Sequence, residues 1–218
     1  MKLLPNTFYK RPCLDVARSL LGAHIHCGKI ILRITEVEAY LPDDSACHAY
    51  KGKTKRNEVM WGEPGHVYVY LCYGIHWMLN FVTNKKNEAA AVLIRSCEPV
   101  KGMETILERR NKKFPPPSWG RVRERGQFNP ELLTGPGKVG QALGLNKTFL
   151  GLPLFKKGKI FVTEGRPATK ILSGPRVGIN YALAHHRDAP WRLADGNSEW
   201  VSERKSLRED GKGPSIRK

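Results

Sequence analysis

The sequence predicts an α+β fold: one domain of mixed, mainly antiparallel strands with flanking helices. Three observations carry this. Short runs of strand character follow one another at hairpin spacing, around Gly28 and around Tyr73-Gly74, as antiparallel neighbours do. Helical periodicity is confined to short stretches between those runs, without the regular alternation of a doubly wound sheet. A chain of 218 residues is long enough for one large domain with a full core.

Residues 13–21 read as a helix, with Val16, Ala17, Leu20 and Leu21 as its apolar stripe and Gly22 at its stop. Residues 23–27 and 29–40 are paired strands around Gly28. Residues 41–66 have few periodic apolar positions and carry Lys51, Lys53, Lys55 and Arg56, which marks a long functional loop. Strands follow at 67–72 and 75–82, then at 89–96, where Val92 and Ile94 face away from Leu93 and Arg95. Pro99 to Arg109 reads as a helix with Met103, Ile106 and Leu107 on one side. Lys112 to Gly126 holds Pro115-Pro116-Pro117 and Arg121, Arg123 and Arg125, and is the linker candidate, mostly a solvated loop. Thr134-Gly135-Pro136-Gly137-Lys138 opens a short helix through Leu143. Strands at 159–163 and 168–172, with a segment at 175–181, complete the count. The domain is placed at 1–206, and 207–218 is expected to be a flexible charged tail.

Lys and Arg number 37 against 20 Asp and Glu, a formal net charge of +17. A chain this basic suits a polyanion, because each neutralised phosphate releases counterions. A membrane surface is the weaker partner, since no stretch reads as a basic amphipathic helix and no apolar run is long enough to span. The N-terminus lacks the apolar core of a signal peptide. The five cysteines, at 13, 27, 47, 72 and 97, are odd in number and form no CxxC. That pattern predicts a reducing, intracellular setting. His24-Ile25-His26-Cys27 has metal-ligand residue types, but in a strand both histidines share one face and Cys27 takes the other. No metal and no cofactor are expected.

Two stretches carry the candidate chemistry. In Ile34 to Tyr40, strand alternation places Glu36, Glu38 and Tyr40 on one face. In His66 to Gly74 it places Tyr68 and Tyr70 together. A carboxylate beside aromatic rings suits a flat, electron-poor ligand such as a purine. Glu38 is the favoured base and Glu36 competes from the same face, one step further from the loop. Arg95 lies in an apolar strand, where a charge must be paired or face a functional cavity. Tyr73 precedes Gly74 at a turn tip, so its ring can be exposed and wedge into a duplex. His48 sits in a small-residue loop, where a packed or solvated histidine is the default. Gly135-Pro136-Gly137-Lys138 before a helix has the form of a phosphate contact, a signal many helices share.

Together, Glu38-Ala39-Tyr40, Ala46-Cys47-His48, Tyr68 to Gly74, Asn80 and Arg95 resemble the alkyladenine (3-methyladenine) DNA glycosylase family of mammals and many bacteria. Arg56-Asn57, Pro64-Gly65, Gly135 to Lys138, Gln141-Ala142-Leu143 and Arg176-Val177-Gly178 extend the match over roughly residues 5 to 203 in consistent order. The resemblance implies one compact mixed α/β domain built on a curved, mainly antiparallel β-sheet, without a helix-hairpin-helix. It implies Glu38 as the base that activates water, with Arg95 helping to hold both. Tyr40, His48 and Tyr70 would line the pocket for the flipped base and Tyr68 would support His48. Asn80 would form the pocket floor, the backbone around Val177 would touch the base or its water, and Tyr73 would fill the gap in the duplex. Arg56 and Lys138 would meet the DNA backbone. The connection from Tyr40 to His48 is shorter than in the mammalian protein and that from Asn80 to Arg95 longer.

The implied activity is that of a monofunctional hydrolase of DNA repair. It would flip 3-methyladenine, 7-methylguanine, hypoxanthine or ethenoadenine out of duplex DNA and cleave the N-glycosidic bond. The expected partner is double-stranded DNA with damaged purines. The protein would act as a monomer, intracellular and DNA-associated, in cytoplasm or nucleoid, or in a nucleus. Two other classes compete: a non-catalytic nucleic-acid-binding protein and a hydrolase of free nucleosides. A carboxylate in a tyrosine pocket disfavours the first, since it repels phosphates. The +17 charge and the turn-tip Tyr73 disfavour the second.

Overall fold

The computed structural model describes residues 1–111 and 129–210. The elements run α1 (Asn6–Tyr9), α2 (Cys13–Leu20), β1 (His24–Cys27), β2 (Ile30–Tyr40), β3 (Val67–Cys72), β4 (His76–Thr83), β5 (Ala90–Lys101) and α3 (Met103–Arg109). Then come α4 (Pro136–Leu143), β6 (Ile160–Thr163), β7 (Ile171–Gly174), α5 (Ala184–Arg187), β8 (Arg192–Asp195) and β9 (Arg208–Glu209). The strands form one sheet in the order β3-β4-β5-β2-β8-β7-β9, with β1 bridging β2 and β6. The pairings between these strands are antiparallel.

β2 organises the sheet. Its first half pairs β1, its second half pairs β8 at Glu36, Val37 and Glu38, and β5 runs along its other edge. Its burial changes accordingly. The start alternates, as a half-covered strand does, and from Ile34 to Ala39 every residue is buried. Register shifts flank Glu36, so the strand is locally irregular where it carries its acids. Val16, Ala17 and Leu20 of α2 are buried with Leu32 and Ile34 of β2 in the main core. Each such aliphatic side chain contributes roughly 1.5–3 kcal/mol by leaving water.

α4 approaches β4 at backbone distance. A Cβ at Gly140 would stand 1.9 Å from the Trp77 carbonyl oxygen, and one at Gly137 would stand 2.8 Å from the His76 ring. The glycines of the 135–140 segment are therefore needed for packing as well as for any phosphate contact. Gly144, at φ 66°, ends the helix in the left-handed conformation.

Several boundaries differ from the sequence expectation. β5 continues to Lys101, and the helix expected from Pro99 begins only at Met103. Pro99 is tolerated because β4 pairs β5 only over Ala90 to Leu93, and Pro99 lies beside a register shift. Residues 175–181 form a loop, and the strand expected at 168–172 is displaced to Ile171–Gly174. Neither β8 nor α5 is expected from the sequence. The frayed tail expected from Leu207 is ordered at its start: Leu207 is buried and Arg208–Glu209 pairs with β7. The linker candidate at 112–126 and the end of the tail, 211–218, lie outside the described residues.

Candidate active site

The middle of the sheet holds a buried group of two acids and two arginines. Glu36, Glu38 and Arg192 have no solvent exposure, and Arg95 has almost none. The Arg95 guanidinium donates to both acids, from Nε to Glu36 at 3.2 Å and from Nη1 to Glu38 at 3.1 Å. Arg192 Nη1 donates to Glu36 at 3.0 Å. Two negative and two positive charges thus cancel where an isolated charge would be prohibitive. Burial works against the Arg95 charge, and Glu38 and then Glu36 outweigh it, so its pKa stays raised.

The two acids differ in what they have left to offer. Glu36 accepts from Arg95, Arg192, Ser96 Oγ and both the amide and hydroxyl of Ser202. A carboxylate has about four lone-pair sites, so Glu36 is saturated. Glu38 accepts from Arg95, from the Val177 amide at 2.8 Å and from the Tyr40 hydroxyl at 2.9 Å. It retains acceptor capacity on the Tyr40 side. Burial, then the Glu38 charge, pushes the Tyr40 phenol well above its ordinary range, so its hydroxyl keeps the proton it donates.

Beside Tyr40 opens a slot lined by Ala46, His48, Met60, Tyr68, Tyr70, Asn80, Ala91 and the exposed Tyr181. The His48 and Tyr70 ring centroids are 4.3 Å apart. His48 Nδ1 lies 2.9 Å from the Tyr68 hydroxyl. Burial, and then Arg56, lowers the His48 pKa, while burial raises that of Tyr68 to about 12. The slot is therefore aromatic and uncharged near neutral pH. Asn80 pairs with Tyr68 across β3 and β4, and its amide donates to the Tyr68 carbonyl at 3.2 Å, which fixes its buried side chain in the slot's lining. The Arg56 guanidinium stands 5.9 Å from the Tyr70 ring centroid.

Two loops make one wall. The Arg176 guanidinium grips buried Asp44 with two nitrogens and donates to the Ala39 and His186 carbonyls. It stacks 4.6 Å from the Tyr40 ring centroid and 5.0 Å from that of Trp191. This pair fixes the Tyr40 ring and brings the loop of Val177 against that of His48.

Tyr73 stands apart from the slot, at the tip of the β3–β4 hairpin. It is 91% exposed, with φ 49°, next to Gly74 at 72°. Both central turn residues are left-handed, a conformation that a bulky side chain rarely adopts. Lys138 lies in the first turn of α4, the helix that packs behind this hairpin. At the other end of the sheet, the His26 ring lies 2.9 Å from the Thr163 hydroxyl and stacks on Phe161. Among the described residues, no cluster of His, Cys, Asp or Glu could hold a metal ion.

Sequence reasoning missed Arg192, Ser202, Asp44 and Tyr181, and Arg176 entered only as part of a motif. Arg192 carried a usable signal. It lies in Trp191-Arg192-Leu193-Ala194, and the rule that singled out Arg95 applies to it equally. Ser202 and Tyr181 carried none, because their partners come from strands and loops far away in the chain.

Comparison with known proteins supplies the class and then the family. The description methylpurine-DNA glycosylase belongs to the family model that matches residues 7–199. The chain is a hydrolase of base excision repair, of the monofunctional DNA glycosylase class. It belongs to the methylpurine-DNA glycosylase family. It is 52% identical over 206 residues to the "Putative 3-methyladenine DNA glycosylase" of Nitrosococcus oceani, covering 94% of this chain and 96% of that protein. It is 49% identical over 203 residues to the DNA-3-methyladenine glycosylase of Arabidopsis thaliana, covering 93% and 75%.

Proposed function

We infer that the protein, acting as a monomer, flips alkylated or deaminated purines out of duplex DNA and hydrolyses their N-glycosidic bond with Glu38 as general base. The substrates are 3-methyladenine, 7-methylguanine, hypoxanthine and ethenoadenine. The observation that carries this reading is the contrast between the saturated Glu36 and the incompletely bonded Glu38 beside the aromatic slot.

A purine inside a duplex is out of reach, so the nucleotide turns outward, at a cost of about a few kcal/mol that damage reduces. Tyr73 fills the gap. Tyr40, Tyr70 and neutral His48 enclose the base, and their π faces favour an alkylated, cationic purine over a neutral one. The C1′–N bond breaks with its electron pair moving to the purine. Water attacks C1′ and gives its proton to Glu38, whose negative charge offsets the positive charge developing on the sugar. Arg95 and the Val177 amide hold Glu38 in place. For neutral hypoxanthine, the backbone near His48 supplies a donor to N7. Asn57 steadies that backbone by donating to the His48 and Gly52 carbonyls.

Glu38→Gln is the test. Single-turnover excision from a lesion duplex should fall by about 10²–10⁴-fold, with binding retained. Excision within about threefold of the unaltered protein overturns the assignment.

A further inference from the structure

We propose that Tyr181 is a further substrate-binding residue, a fixed aromatic rim that holds the deoxyribose of the flipped nucleotide. The proposal rests on the base-flipping reading above and extends it to the sugar.

The slot has a direction. Its floor, at Tyr68, Asn80 and Ala91, is buried, whereas Tyr181 lines the same slot and is 70% exposed. A flipped nucleotide stays joined to its strand, so its base enters first and its sugar stops at the mouth. The ring at the mouth therefore meets the sugar.

Tyr181 is exposed, but its backbone is firmly held. Four residues earlier, the Val177 amide binds Glu38, and Arg176 is locked to Asp44. Two residues later, the Leu183 amide donates to Ser45 Oγ at 2.9 Å. Between them, Ile179 and Ala182 pack with Ala46 against Tyr40. The Tyr181 hydroxyl itself points to the Ala46 carbonyl at 3.4 Å, a long bond. A large ring is thus presented to solvent on a scaffold that also fixes the general base. A ring placed in advance binds with little loss of freedom. A sugar against its face gains dispersion and weak C–H contacts.

The experiment uses the full chain and a duplex with one ethenoadenine, whose fluorescence reports unstacking. Tyr181→Ala should shorten the lifetime of the flipped state about tenfold, within the range for an aromatic platform. Tyr181→Phe keeps the ring and should stay within about twofold, and Tyr50→Ala, another exposed tyrosine, should change nothing. Melting curves check that Tyr181→Ala remains folded. An unchanged lifetime in Tyr181→Ala overturns the proposal. So does a Phe variant as impaired as Ala, since the hydroxyl brace would then be the contribution. If Tyr181→Ala does not fold, Tyr181→Leu, which keeps apolar bulk without a ring, must show the tenfold loss or the proposal falls. If the unaltered protein neither flips nor releases the base, the functional reading fails with it.

Discussion

Replacing Glu36 by Gln removes one negative charge from the buried group of four and leaves Arg95 and Arg192 with Glu38 alone. The loss is not only Coulombic. Every partner of Glu36 donates to it, and two of the donors cannot turn: Arg95 Nε on one oxygen and the Ser202 amide on the other. In either orientation the Gln NH2 faces one of them. Breaking a buried ion pair on one side costs about 3–5 kcal/mol. For a chain of this size each kcal/mol lowers Tm by about 2–4 °C, so a fall of about 6–20 °C is expected. Glu38→Gln is different. The fixed donors, Arg95 and the Val177 amide, bind one oxygen, and the other faces the Tyr40 hydroxyl, which can rotate to accept. The Gln NH2 fits there. Thermal and urea unfolding of both variants separates the two cases, with a shared m value showing that the unfolded states match. A Tm loss for Glu36→Gln under about 2 °C, or one no larger than for Glu38→Gln, refutes the assignment of Glu36 as the structural acid.

Tyr73→Asn should relieve left-handed strain and raise stability by up to about 1 kcal/mol, while lowering the flipped fraction of a fluorescent lesion; an unchanged flipped fraction refutes the wedge. The His48 pKa lies below its ordinary 6.5, so on acidification the unfolded chain takes the proton first. The stability His48 contributes by staying neutral is present above that value and is lost as pH falls through the folded pKa. Over the same window an imidazolium enters the slot, so excision of cationic 7-methylguanine should fall relative to neutral hypoxanthine, read from the pH dependence of the two single-turnover rates. Lys138→Ala should weaken damaged and undamaged duplexes alike and reduce the salt dependence of binding by about one unit of log–log slope. A lesion-selective effect would place Lys138 at the base instead.

The legible parts of the sequence were those set by local rules. Strand alternation brought Glu36, Glu38 and Tyr40 together, and the Tyr73-Gly74 turn fixed the hairpin that presents Tyr73. The parts that stayed hidden depend on long-range pairing. β8 shows no alternation because all four of its residues are buried, and a run of four residues is too short to announce a strand on its own. Its identity as a strand comes from lying beside β2, where Arg192 finds Glu36. Pro99 likewise looked like the start of a helix, since nothing local reveals that among the described strands only β2 pairs β5 there. The order at Leu207 follows from a small cluster with Leu172, Ala194 and Val201, which no neighbouring residue announces.

The neutrality of the buried group also bears on how a base-excising enzyme can approach DNA at all. The proposed reaction needs a carboxylate at the sugar, yet a negative field at the slot would oppose the phosphates on either side of the lesion. Here Arg95 and Arg192 cancel Glu36 and Glu38 within hydrogen-bond distance, so little of that field reaches the surface. The formal net charge of +17 on the chain is then free to attract the duplex. Inside the slot the balance is local again. Tyr40 donates to Glu38 and closes the direct path between acid and base pocket. In the proposed reaction the charge of Glu38 would therefore be felt most by a cation at C1′, where the bond breaks, and least by the phosphates outside. That arrangement explains why Glu36, which never touches the slot, is built into the site: it neutralises the arginines that neutralise Glu38.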